Sequence, residues 1–358
     1  MSKPNVLITG CNGLIGEAVA RRLLSEYHLI GADVSDPPED SPLDEVRHMD
    51  VTSDASVQQT VDWVKEHRDG RLASVVHLAA FYDFSGEPSP LYDEITVQGT
   101  RRLLDALQDL HVEQFVFTST MLVHAPVKPG EHIDEKSPLD AKWAYPESKL
   151  DTERVIHERR GEIPAVFLRI AGVYTDYGQQ PTLVQQIKRI HAKDFQSFFF
   201  PGDLDAGQAL VHLDDAAEAI ARTIDHRATL PDETAILIGE PDPPSYGGLQ
   251  DRIGELIWGT EWPTVRLPEP VAEAGAWIQD KTPGQESFIK PFMIELADDH
   301  YGLDVSRART LLDWTPEHRL VDVLPTIVAG LQEDPGGWYE RNGVDMPAAV
   351  TEQAGAQG

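Results

Sequence analysis

Val6-Leu7-Ile8-Thr9-Gly10-Cys11-Asn12-Gly13-Leu14-Ile15-Gly16 combines a short apolar run, three glycines at a spacing of three, and the opening of a helical pattern. The run is predicted to be a buried strand, and the apolar repeat through Gly16–Ser25 a helix. Glycines at such a junction serve a tight turn, a close approach of backbone to a pyrophosphate, and close packing of helix on strand. The helix N-terminus adds amide donors and the positive end of its dipole. Gly10, Asn12, Gly13, Leu14, Ile15 and Gly16 are therefore candidate phosphate-binding residues. Glycines also make plain turns, so the context matters. A second strand, Leu29–Ala32, ends at Asp33, 17 residues beyond Gly16. A carboxylate there accepts both hydroxyls of an adenosine ribose and repels a 2′-phosphate, which favours NAD over NADP. Asp50, closing a third strand over Val46–Met49, and Val51 beside it are candidates for the adenine side.

Outward from this unit, strand and helix patterns alternate. Helices are predicted over Ser53–His67, Pro90–Leu110 and Pro146–Arg160. Strands are predicted over Val75–Leu78, Gln114–Thr118 and Ala165–Ile170. Such alternation implies an α/β protein, a Rossmann-type doubly wound parallel sheet with its ligand at the carboxyl ends of the strands. After Tyr174 the pattern breaks into helical stretches (Thr182–Ala192, Leu249–Trp258, Pro270–Asp280) among loops such as Pro241-Asp242-Pro243-Pro244. Strand-like pieces recur at Ala209–Leu213 and Ala235–Gly239. The expected division is a cofactor domain over 1–174, with a returning segment near 205–239, and a smaller, irregular substrate domain over 175–335. Residues 346–358 read as a disordered tail.

The 358 residues are 41% hydrophobic and 25% charged, ordinary globular material. The single cysteine, Cys11, excludes a disulfide framework and a cysteine-based zinc site, and no metal site is expected. In the phosphate loop it reads as a small side chain fitting a tight turn. No apolar run nears the roughly 18 residues of a membrane span. The start of the chain leaves no room for a signal peptide, so a cytoplasmic enzyme is expected. Sixty acids against 30 bases give a net charge of −30, which excludes a basic nucleic-acid footprint and disfavours an anionic membrane. Acids spread along the whole chain suggest adaptation to high salt, where screening tolerates the charge.

Tyr145-Pro146-Glu147-Ser148-Lys149 opens a helix, and its i, i+4 spacing sets Tyr145 and Lys149 on one face. A phenol is a poor base at neutral pH. A nearby ammonium and a positively charged nicotinamide ring are expected to favour the phenolate, and Lys149 to hold the nicotinamide ribose. Thr118-Ser119-Thr120 ends the fifth strand, where a hydroxyl could polarise a substrate oxygen or simply cap a turn.

These pieces together resemble the extended short-chain dehydrogenase/reductase, or NAD-dependent epimerase/dehydratase, family over about residues 5–330. The resemblance rests on Thr9–Gly16, Asp33, His77-Leu78-Ala79-Ala80, Phe117–Thr120, Tyr145–Lys149, Leu168-Arg169 leading to Val173-Tyr174, and Val211–Asp215. It implies NAD as cofactor, with Leu78, Ala79 and Ala80 beside it, and Tyr145, Lys149 and Thr120 as catalytic residues. It gives His212 a packing role, and it implies a homodimer through the helices near Pro90–Leu110 and Pro146–Arg160. Departures bear on the substrate. Met121 and Leu122 replace the acidic pair of the family's dehydratases. Gly172 and Gln208 stand where nucleotide-sugar enzymes carry Asn and a diphosphate-binding Arg, and Thr96 where the family's helix motif usually has Asn. No counterpart of their second phosphate-binding Arg is found near Asp298–Leu303, and lost bidentate cations are not conservative changes.

The motif Arg169–Tyr174 looks closer to hydroxysteroid dehydrogenase and dihydroflavonol reductase relatives. Phe81, Tyr82 and Phe84 could line a substrate pocket or simply pack their loop, while Phe198-Phe199-Phe200 could wall the pocket or plug the domain interface, the plug being favoured. The expected activity is NAD-dependent hydride transfer at a secondary alcohol or carbonyl carbon of a small molecule: a sugar, a nucleotide-sugar or another hydroxy or carbonyl compound. The alternatives are a nucleotide-sugar 4-epimerase that recycles its NAD internally and a non-catalytic NAD-binding protein.

Overall fold

The computed structural model describes residues 3–43, 45–83, 86–267, 297–347 and 350. The expected Pro270–Asp280 helix, Phe84 and most of the 346–358 tail lie outside them. Seven strands build one sheet: β1 (Asn5–Thr9), β2 (His28–Asp33), β3 (Val46–His48), β4 (Ser74–His77), β5 (Phe115–Thr120), β6 (Ala165–Ile170) and β7 (Glu233–Ile238). Every pairing is parallel, in the order β3-β2-β1-β4-β5-β6-β7. The order reverses between β1 and β4, which is where a doubly wound sheet opens a ligand crevice. β7 joins from a segment that returns after residue 174.

Side-chain alternation assigns the two faces of the sheet. On β1, Val6 and Ile8 enter one core and Leu7 the other. The first core is covered by α1 (Leu14–Leu23) and α6 (Leu213–Asp225), the second by α2 (Asp54–His67), α3 (Gln98–Leu107) and α4 (Ala144–Arg159). Between α4 and α6 the chain forms α5 (Pro181–His191). With α7 (Tyr246–Trp258), a helix over Leu320–Glu333 and one over Pro335–Arg341, α5 forms a third core of its own. Short parallel pairings tie this lobe to the sheet. Gly172–Tyr174 lies beside Leu210–His212, and His132–Ile133 beside Gly302–Leu303.

One expected element differs in kind. The helix predicted from Pro90 starts as a π-helical turn, Tyr92–Val97, before α3. The Thr100 hydroxyl donates to the Thr96 carbonyl at 2.6 Å, while the Thr96 hydroxyl accepts the Phe81 N–H at 3.0 Å. Such wide turns commonly mark functional sites, and here Thr96 orients the strand-four loop. Among the described residues no helix is long and apolar enough to cross a membrane.

Candidate active site

A cavity of about 670 Å³ lies between the carboxyl edge of the sheet and the third core. Gly10, Gly13, Leu14, Ile15, Gly16, Leu78 and Ala80 line one part of it, and Thr120, Tyr145 and Lys149 another. Of the other expected cofactor residues, Asn12, Asp33, Asp50, Val51 and Ala79 stand behind that wall or beyond its edge.

The glycine loop is sterically committed. Gly10 has φ +68°, and a Cβ on it would sit 2.8 Å from the Ala79 nitrogen. A Cβ on Gly16 would strike the Gly10 carbonyl and lie 2.7 Å from the Cys11 backbone. Gly13 starts α1 with no side-chain cap, so the first-turn amides stay available to an anion. A cradle that admits no Cβ and keeps helix-start donors open fits a pyrophosphate. Asp33 faces the same loop: Oδ2 accepts the Asn12 N–H at 3.0 Å, and Oδ1 accepts Ser35 N–H and Oγ–H at 2.9 and 2.8 Å. The Asp50 carboxylate folds back on Thr52, accepting its N–H and hydroxyl at 2.8 and 2.7 Å. Val51 packs beneath Gly99 in the second core. Both side chains therefore hold the loop itself. Cys11 is buried, and burial together with Asp33 pushes its thiol up to about 12. The nucleophilic form is thus suppressed, in keeping with its reading as a space-filling residue.

Behind this loop His77 forms a closed relay. The Ala79 N–H donates to the Thr9 hydroxyl at 3.3 Å, and that hydroxyl donates to His77 Nδ1 at 2.7 Å. His77 Nε2 then donates to Thr100 Oγ1 at 2.8 Å, because the Thr100 proton is already given to Thr96. Burial, reinforced by Lys149, holds His77 down to about 3, while burial and Arg169 hold His124 down to about 4. Both depressed values lie below that of an unfolded histidine, so the unfolded chain binds more protons as pH falls below about 6.5. Stability is therefore expected to fall already between pH about 6.5 and 5, above the main carboxylate range. Urea midpoints across that window test this, and a flat profile contradicts it.

Tyr145 lies in the first turn of α4, fenced by the rings of Tyr82 (5.1 Å, edge-on) and Trp143 (5.4 Å). Burial raises its phenol, Tyr82 adds to the rise, and a hydrogen bond with Thr120 opposes it. One turn on, Lys149 is buried and donates to the Thr118 carbonyl at 2.9 Å, its Nζ 5.9 Å from the Tyr145 ring centre. Burial brings this ammonium down to about 8. The Lys149 ammonium is turned to the Thr118 carbonyl, and burial is the first cause acting on both groups. Of the three strand-five hydroxyls, only Thr120 meets Tyr145. It also accepts the Leu122 N–H at 3.3 Å, so the capping role and the site role coincide.

Ser119 leads to residues that the sequence did not single out. It donates to Glu153 Oε1 at 2.6 Å. Arg169 grips both oxygens of Glu153, at 3.1 and 2.7 Å, and its Nη1 donates to His124 Nε2 at 3.0 Å. All four side chains are buried. This network pins α4 to β5 and β6 directly behind the Tyr145–Thr120 pair. Its sequence signal was faint: an acid one turn past Lys149, and an Arg noticed only as part of a motif. The phenylalanine triplet is corrected in part. Phe198 stacks on Trp262 at 4.8 Å inside the third core, whereas Phe199 and Phe200 wall the cavity. Tyr82 also lines it, while Phe81 packs against Tyr92. His212 caps α6, accepting the Asp214 N–H, which suits a packing role.

Residues 6–239 match the model of the NAD dependent epimerase/dehydratase family. The chain belongs to that family. The expectations of an α/β Rossmann-type fold and of an NAD-dependent oxidoreductase or epimerase are met by this match. Over 296 residues, 75% of this chain and 77% of the relative, it is 26% identical to sterol-4-alpha-carboxylate 3-dehydrogenase, decarboxylating, of Candida albicans. A 163-residue stretch, 45% of each chain, is 29% identical to N-acetyl-alpha-D-glucosaminyl-diphospho-ditrans,octacis-undecaprenol 4-epimerase of Escherichia coli O157:H7. Among solved structures, UDP-glucuronic acid 4-epimerase from Bacillus cereus, in complex with UDP-glucuronic acid and NAD, superposes with a TM-score of 0.68. That superposition shows 20% identity and covers 92% of this chain and 99% of that one, a likeness of fold.

Proposed function

We propose that the protein oxidises a secondary alcohol of a small molecule, or reduces the corresponding carbonyl. The observation that carries this reading is the convergence of Tyr145, Thr120 and Lys149 in one cavity with the glycine cradle. Gly10, Asn12, Gly13, Leu14, Ile15 and Gly16 would hold the pyrophosphate of NAD, Asp33 the adenosine ribose, the loop that Asp50 and Val51 hold in place the adenine edge, and Lys149 the nicotinamide ribose, beside Leu78–Ala80. When bound, NAD supplies the hydride acceptor and a positive ring. Tyr145 takes the substrate hydroxyl proton, Thr120 hydrogen-bonds the same oxygen, and the buried Trp143 ring shields the phenol. In the opposite direction the phenol, held protonated by burial, donates to the carbonyl oxygen.

A net oxidoreductase is favoured over a nucleotide-sugar epimerase because neutral Gln208 lines the cavity where those enzymes carry an Arg. The relationship to the undecaprenol-linked epimerase supports the second reading, in which NAD stays bound and is regenerated. An alcohol and carbonyl screen at 340 nm, beside the nucleotide released on heat denaturation, separates them. Net NADH formation from an initially empty site supports the first. Stoichiometric bound NAD without net reduction supports the second.

Residues 1–174 with the returning segment are read as the cofactor unit, and 175–335 as the substrate unit. A cytoplasmic homodimer is proposed through the π-helical turn with α3 and α4. High-salt adaptation is proposed from the −30 charge, so melting temperature and activity are expected to rise with KCl. Full stability at low salt contradicts that.

A further inference from the structure

The turn over Thr175–Gln180 leads into α5, and its last two residues, Gln179 and Gln180, line the cavity. Thr175 and Gly178 exchange backbone hydrogen bonds across it, at 3.0 and 2.9 Å. Gln179 has φ +56°. Of the four non-glycine residues in this left-handed region among the described residues, it alone lines the cavity. A residue with a Cβ keeps such a backbone only where its surroundings impose it.

The imposing group comes from far along the chain. Asn342 follows the helix over Pro335–Arg341. Its Oδ1 accepts the Gln179 N–H at 2.7 Å, while its Nδ2 donates to the Tyr177 carbonyl at 3.0 Å and the Trp338 carbonyl at 2.8 Å. The Arg341 guanidinium lies over the Tyr177 ring at 4.0 Å. Asn342 and Arg341 both stand beyond residues 6–239, the part that matches the family model.

The residue next to this clamp is Gln180. Its Oε1 caps α5, accepting the Leu183 N–H at 2.7 Å and the Thr182 hydroxyl at 2.8 Å. A backbone N–H on Oε1 fixes which way the amide is turned. Gln180 is 6% exposed, yet its Nε2 has no hydrogen-bond partner among the described residues and keeps accessible surface. Gly172, also on the cavity wall, has no side chain to cover it: a Cβ there would stand 3.4 Å from Nε2. An oriented NH2 in a nearly buried side chain discriminates strongly for a ligand that satisfies it.

We propose that Gln180 sets substrate specificity by donating from Nε2 to a second oxygen of the substrate, one that does not react, and that Asn342 is its positioning residue. This rests on the proposed alcohol oxidation. The carbon that reacts is placed by Tyr145 and Thr120, and a second fixed oxygen then orients the rest of the molecule.

The test follows NADH formation from NAD with paired alcohols: cyclohexanol beside hydroxycyclohexanone, decalol beside hydroxydecalone, and a hydroxysteroid without and with a ring ketone. The member with the second oxygen is expected to have a kcat/KM about tenfold or more above its partner, with the gain in KM. Gln180→Glu keeps the acceptor for the Leu183 N–H but loses the donor, and the ratio is expected to fall to within about twofold. A capping role alone would leave the ratio untouched in that variant. Asn342→Ala is expected to lower the ratio about threefold or more, and to add less than about twofold on top of Gln180→Glu, because it acts through that residue. Asn342→Asp, which keeps the acceptor for the Gln179 N–H and loses the donors, should fall between. The inference is overturned if paired alcohols are turned over alike, if the preference survives Gln180→Glu, or if Asn342→Ala leaves it intact. Absence of turnover for every pair, with NAD bound, would instead overturn the alcohol-oxidation reading, and the inference with it.

Discussion

Tyr145→Phe is expected to lower turnover by about 10²-fold or more while leaving NAD affinity within about threefold, since general acid–base catalysis contributes about 10²–10⁴. The substitution removes one oxygen from a residue already held by the Tyr82 and Trp143 rings, so the cavity keeps its shape. The loss should fall on kcat rather than on substrate KM, because the proton moves only in the chemical step. Steady-state kinetics in both directions check this. Near wild-type turnover in the variant would remove Tyr145 from the chemistry.

Glu153→Leu is expected to cost about 3–5 kcal/mol of stability, because it strands Arg169 as a buried, uncompensated charge. The Ser119 hydroxyl and the guanidinium nitrogens lose their acceptors together. Removing both partners in Glu153→Leu/Arg169→Met should recover much of that loss, since an apolar pair leaves no unpaired charge. Urea denaturation of the single and double variants measures the difference. A single variant within about 1 kcal/mol of wild type would show that the ion pair is not desolvated as the structure has it. The surviving single variant should also lose activity, because the network anchors α4, which carries Tyr145 and Lys149.

What the sequence could disclose was local. The glycine loop, Asp33 and the Tyr145–Lys149 spacing each lie within one strand-turn-helix unit, so spacing alone carries them. The strands were legible for a similar reason: both faces of a parallel sheet are buried, and continuous apolar runs mark them. Side-chain partnerships were not legible, because they depend on which elements pack together. Glu153 meets Ser119 and Arg169 across three elements, and the His77 relay joins Thr9 to Thr100. Spacing likewise shows that Tyr145 and Lys149 share a face, but not that both are buried or that Lys149 turns to the Thr118 carbonyl.

The central claim is an NAD site assembled by the glycine loop and Asp33 beside Tyr145, and titration of nucleotide-free protein with NAD and NADP tests it most directly. One NAD per chain is expected, with NADP weaker by about tenfold or more, given the ribose-facing carboxylate. Gly16→Val, whose side chain would collide with the Gly10 carbonyl, should abolish binding. A protein that binds neither nucleotide, or prefers NADP, would contradict the account.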